Sequence, residues 1–292
     1  MEFGAWDAAT VLAKSVTYAA TFGVAGGVMF LLYSHDLMVQ STRARIQSQL
    51  GVFLIVALFA TGVRILVLAG SMGGAIAGML NPSLVRMIVR TGEGPATGMR
   101  IAGLLLAGHA VFSARRPGVV AIVGAVSAAT SFAWVGHARA VVPSVLPTLL
   151  LSIHLICVSF WLGALAPLLL VSGDHDLPRI AATAGRFGRM ATFIVGLLIV
   201  AGAVLLWLLI GDASESWWGS YGRAFAIKLG WMTILLSVAA FNKLSLTRRL
   251  RANDPKAARS LGRSVQFELM LTGLILLTTA TLTTLWGPPT LE

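Results

Sequence analysis

Two histidines and one cysteine are the residues of this sequence best suited to holding a soft metal ion. His137 and His154 lie on either side of Pro147, and Cys157 follows His154 by three residues. On a helix, that spacing puts His154 and Cys157 on one face, about 4.5 Å apart along the axis. Imidazole is the commonest metal ligand. With a thiolate and a nearby thioether it suits Cu(I), and imidazoles alone hold either copper state. Met72, Met79, Met87 and Met99 supply thioethers along one stretch, although methionine is equally an ordinary apolar filler. The ordinary alternative for Cys157 is a small buried hydrophobe. His137 and His154 could instead ligate one b-type haem from its two faces, but His109 has no evident mate with which to form a second pair. His35 and His175 read as solvated loop residues. A second group is polar: Asn242, Lys243 and Glu268. A contact of Glu268 with Asn242 or with Lys243 would form a structural clamp or part of an inner gate.

The elements that must position these residues are membrane helices. The 292 residues are 57% hydrophobic and 11% charged, with mean hydropathy +0.85. Ordinary soluble domains carry about 25% charged residues, so only a lipid-facing surface accommodates this composition. A span needs about 20 apolar residues. Candidate spans fall near 8–33, 49–71, 97–113, 118–137, 148–172, 187–211, 223–244 and 264–286. The expected fold is therefore all-α, a polytopic transmembrane helical bundle of about eight helices. The third span is the weakest, and a seven-helix count drops it. The formal net charge is +11, with the basic residues gathered between apolar runs. That pattern fits loops at an anionic membrane surface and gives no nucleic-acid partner. The lone Cys157 excludes an intramolecular disulfide framework, and without a Walker A motif ATP hydrolysis is not expected.

Loops after alternate spans hold Arg43 and Arg45; Arg115 and Arg116; Arg179, Arg186 and Arg189; and Lys243 to Arg263. The positive-inside rule puts these in the cytoplasm and both termini outside it. Glu2 and Asp7, with no preceding Lys or Arg, imply that the first helix is retained rather than cleaved. His137 and His154 then fall in the outer part of the membrane on consecutive helices, where they are expected to face each other. Lys14, Arg64, Arg100 and Lys228 fall in outer halves and are expected to snorkel to headgroups. Residues 81–90 read as a short interfacial helix with Leu84, Met87 and Ile88 on one face. Trp217, Trp218 and Tyr221 read as interfacial aromatics. The halves look repeated. Ser15 with Gly26 matches Ser152 with Gly163, Gly62 matches Gly202, and His154 falls where the first half has Thr17. Two four-helix halves, 1–145 and 146–292, each with an even helix number, would form a parallel repeat.

The stretch His154-Leu-Ile-Cys-Val-Ser-Phe-Trp161-Leu-Gly163-Ala164 resembles a signature of the copper resistance protein D (CopD) family. In the same order come Gly136-His137-Ala138 before it, then Arg186-Phe-Gly-Arg189, Tyr221-Gly222-Arg223 with Lys228, Phe241-Asn242-Lys243 and Ser264-Val-Gln-Phe-Glu268. The resemblance covers roughly residues 130–289, and the first half fits more loosely. Ala164 stands where a second glycine is common, and Lys243 where arginine is. The resemblance implies a bacterial inner-membrane protein that moves copper from periplasm to cytoplasm and is not an enzyme. It also implies a periplasmic copper-binding CopC-like partner, expected as a separate chain because no soluble β-domain stands at either end. Membrane haem enzymes of the cupric reductase or protoporphyrinogen oxidase kind are the alternative.

Overall fold

The computed structural model describes residues 4–113, 116–135, 145–210 and 219–285. His137, Trp217 and Trp218 lie outside the described residues. Those that are described form helices and turns and contain no strand. With no water in a bilayer to satisfy backbone groups, helices that satisfy their own are the natural solution for so apolar a chain. The helices are α1 (Ala5–Ser34), α2 (Gln40–Gly73), α3 (Ile76–Met79), α4 (Pro82–Arg90), α5 (Glu93–Phe112), α6 (Val119–Thr130), α7 (Val145–Gly163), α8 (Leu165–Ser172), α9 (Leu177–Ile210), α10 (Ser220–Phe241), α11 (Thr247–Arg251) and α12 (Pro255–Leu285). Among the described residues, six helical stretches are long and apolar enough to cross a membrane. The 20-residue α5, and α6 with its 3-10 extension to Trp134, run beside them. The chain is thus a multi-pass membrane helical bundle.

Local sequence sets the breaks. Pro167 has no N–H to offer the Gly163 carbonyl, so the helix breaks at Ala164 between α7 and α8. Asn242–Leu246 is one π-helical turn between α10 and α11, with the Thr247 N–H bonded to the Asn242 carbonyl. Asn81 caps α4 by accepting from the Ser83 N–H at 3.0 Å, with Pro82 in the first helical turn. Leu84, Val85 and Ile88 of α4 pack on Ile65, Leu68 and Ala69 of α2, while Met87 is exposed. The apolar face of this short helix is therefore one residue off the expected one.

α1 and α7 cross at the centre of the bundle through two glycines. A Cβ on Gly26 would collide with the backbone of Ser159 and Gly163, and one on Gly163 with that of Phe22 and Gly26. α5 and α6 approach equally closely through Gly103, Ala107, Gly124 and Ala128. Small residues at four-residue spacing are the usual means by which membrane helices pack without a hydrophobic driving force. One end of the bundle is stitched by the basic residues. Arg186 holds Asp36 at 2.5 and 2.9 Å and the Tyr33 carbonyl at 3.1 Å. Arg45 pairs with Asp174, and Arg116 donates to the Leu32 carbonyl at 3.0 Å. Between α11 and α12, Arg249 and the Lys256 N–H hold the Asp254 carboxyl below the usual carboxylate range.

Candidate functional site

His154 sits on the side of α7 that faces α9. Its Cε1 and Nδ1 lie 3.7 and 3.8 Å from where a Cβ on Gly202 would be. The Leu198 backbone carbonyl is the hydrogen-bonding neighbour of the ring, and Lys228 of α10 its charged one. Nδ1 is buried and has no hydrogen-bond partner among the described residues. Leaving a buried polar atom unsatisfied costs about 1–3 kcal/mol. This atom is therefore a place where a ligand would repay its own desolvation. Gly202 makes the space, since any larger residue there would lie against the ring. Cys157, one turn along α7, is a free thiol buried in the main core. Leu155 and Val158 of α7 pack against Phe22, Phe132 and Leu276. The expected facing of His137 and His154 involves a residue outside those described. Among the described residues, no group of three or more His, Cys, Asp or Glu converges in a way that holds a metal ion.

Toward the basic end, a cavity of about 300 Å³ opens between α9 and α10. Its lining includes Trp161 of α7, Phe187, Thr192 and Val195 of α9, Asn242 and Lys243, and Glu268 of α12. Trp161 is about two helical turns along α7 from His154, and Val195 about one turn along α9 from Leu198. The cavity thus continues the line of α7 and α9 that begins at the histidine. Glu268 is 3% exposed, and Asn242 donates its Nδ2–H to Glu268 Oε1. Of the two contacts open from sequence, this is the one that forms. Lys243 instead donates from Nζ to Thr192 Oγ1 at 2.6 Å. Thr192 carries no motif, and only the fold brings it there. Asn242 Oδ1 has no partner among the described residues.

The cations of the first half are not distributed as expected. Arg64 and Arg100 do not snorkel; they are 6% and 0% exposed. Arg64 grips Glu93 with two bonds of 2.7 and 2.5 Å, which ties α2 to α5. Arg100 donates from Nε to Ser131 Oγ at 3.0 Å and lays its guanidinium over Phe132, 3.9 Å from the ring centre. The reason lies in α5 itself. Glu93 and Arg100 are seven residues apart, so both lie on the face of α5 turned toward the bundle. Lys14 reaches the Thr283 carbonyl at 3.0 Å. One carboxylate among these three cations leaves the first half strongly positive within the bundle.

The remaining sequence candidates scatter. His109 and His175 are exposed, and His35 Nε2 lies 2.7 Å from Arg43 Nη1. Met72 and Met87 are exposed, while Met79 packs beside Gly70 with Trp6.

Comparison with known proteins locates the chain by its two ends. Residues 5–142 match the family described as "Copper resistance protein D-like, N-terminal domain", and residues 181–282 match "Copper resistance protein D". The stretch between these matches contains His154, Cys157 and Trp161. The chain is similar to the copper transport protein CutJ of Bacillus subtilis (strain 168), with 27% identity over 161 residues. That alignment covers 54% of this chain and 28% of CutJ, so the chain spans a minor part of that relative's length. No solved structure matches.

Proposed function

We propose that this chain, which belongs to the copper resistance protein D family, carries copper across a bacterial inner membrane, from the periplasmic side to the cytoplasm. The observation that carries this reading is His154 Nδ1, buried and unpartnered beside Gly202. In this reading a copper ion is the substrate, and Nδ1 is its first ligand in the bundle. His137 and Cys157 are the proposed further ligands, the thiol lying one turn deeper on the same helix. The ion then passes between α9 and α10, along Trp161, to the cavity at the basic end. The first half is the less suitable route, because three cations, Arg64, Arg100 and Lys14, would repel a cation there in a medium of low dielectric, against the single Lys228 beside His154. A separate CopC-like copper-binding protein would deliver the ion at the outer face.

The test is metal content set beside a visible spectrum. Purified protein loaded with Cu(I) is expected to hold copper that His154→Ala loses, with no Soret band in either. A Soret band abolished by His154→Ala would replace this reading with a haem enzyme. Uptake of copper by cells expressing the chain then separates transport from storage.

A further inference from the structure

Glu268 does not belong to the copper site, yet it lies within the bundle at 3% exposure. Among the described residues it enters no ion pair. Lys243, the cation that lines the same cavity, is engaged by Thr192 instead. Among the described residues, the one hydrogen bond to its carboxyl comes from the Asn242 amide. An ionised carboxylate without a cationic partner is costly in such a site, whereas a carboxylic acid is not. Asn242 suits both forms. Its Nδ2–H donates to a carboxylate oxygen. Turned over, its Oδ1, now unpartnered, accepts from a carboxylic O–H. The π-helical turn that starts at Asn242 sets this amide against α12, and such turns recur at functional sites. The cavity between α9 and α10 gives the carboxyl a wall of its own, and Lys243 is the one other charged group lining it.

We propose that Glu268 is a proton-binding site that couples copper movement to proton movement, with Asn242 as its positioning residue. This rests on the transport reading above. The carboxyl binds one proton when no copper is in the bundle. A copper ion advancing from His154 toward the cavity brings positive charge into a medium where two cations repel strongly. The O–H bond of Glu268 then breaks, the proton passes to water in the cavity, and the carboxylate left behind balances the arriving charge. After copper leaves to the cytoplasm, the carboxylate takes a proton back from the outer side along the vacated copper path, so one proton crosses inward with each copper ion. Lys243 remains on Thr192 and keeps the cavity from holding a second cation.

The full-length protein is placed in phosphatidylethanolamine–phosphatidylglycerol vesicles containing a pH dye, and Cu(I) is added. Wild type is expected to take up copper with a proton movement that stops when copper does. Glu268→Gln, which keeps the shape and can still accept from Asn242, is expected to lose the proton signal, and its copper uptake to lose its dependence on a pH gradient. In infrared titration, wild type is expected to show a pH-dependent carboxylic carbonyl band that Glu268→Gln lacks. Asn242→Leu is expected to shift that band's midpoint and also to weaken the dependence of copper uptake on the pH gradient, and a purely structural clamp would not do the second. Copper uptake by wild type with no proton movement overturns the coupling and leaves the transport reading standing. So does an unchanged proton signal in Glu268→Gln. Absence of copper uptake by wild type overturns both.

Discussion

At the scale of single residues, the proposed copper site rests on His154 Nδ1. A histidine kept for packing has both ring nitrogens satisfied, so its removal destabilises the protein. This one carries an unsatisfied nitrogen. His154→Leu is therefore expected to leave the metal-free protein as stable as wild type or more so, within about 1–3 kcal/mol, while copper retention is lost. Thermal unfolding in detergent, with and without copper, reads both effects, and a strongly destabilised metal-free variant would mark His154 as structural. Gly202→Leu tests the same space from the facing helix. Its side chain would occupy the volume beside the ring, so copper binding should fall to background although every proposed ligand remains. Cys157→Ser separates ligand from filler: weaker Cu(I) retention marks a ligand, and unchanged retention marks packing.

At the scale of elements, the two halves hold their helices together differently. α2 and α5 are bolted by Arg64 and Glu93, whereas a cavity separates α9 from α10. Arg64→Ala leaves Glu93 unpaired in a part-buried site. Breaking such a pair from one side costs about 3–5 kcal/mol. The double replacement Arg64→Met with Glu93→Leu should recover most of that loss, since replacing both charges removes the desolvation penalty as well. Thermal unfolding of the two variants side by side checks the order. The glycine crossing is less forgiving. Gly26→Val puts a branched side chain into the backbone of α7, and the expected outcome is loss of folded protein on size-exclusion chromatography.

At the scale of the whole molecule, Gly26 and Gly163 are more than a crossing. They are also the glycines that match when residues 1–145 are laid on residues 146–292. In a parallel repeat, the axis relating the halves passes between equivalent helices, so equivalent small residues would meet there. We propose that arrangement, with the first half as a closed, positively charged brace and the second as the moving half. Orientation is tested independently. Reporter fusions after Thr247 are expected on the cytoplasmic side and those after Leu80 on the periplasmic side. The reverse pattern would turn the proposed copper route around.

Much of the architecture was legible in the sequence because it depends on local quantities. Apolar run length gave the spans, and the amphipathic spacing of residues 81–90 gave α4. Low charge required a lipid-facing surface. The pairing of Asn242 with Glu268 was also within reach, as one of two neighbours at the same depth. Tertiary structure alone decided which neighbour formed, because Lys243 has a flexible stem and found Thr192 on a helix about fifty residues away in sequence. It likewise decided that Arg64 and Arg100 turn inward. A charge near a helix end can snorkel or pair, and the choice depends on whether a carboxylate and an aromatic ring from other helices are waiting inside. The space beside His154 was hidden for the same reason. A glycine in an apolar run gives no sign of what it faces, and only the packing of α7 on α9 sets Gly202 against the imidazole.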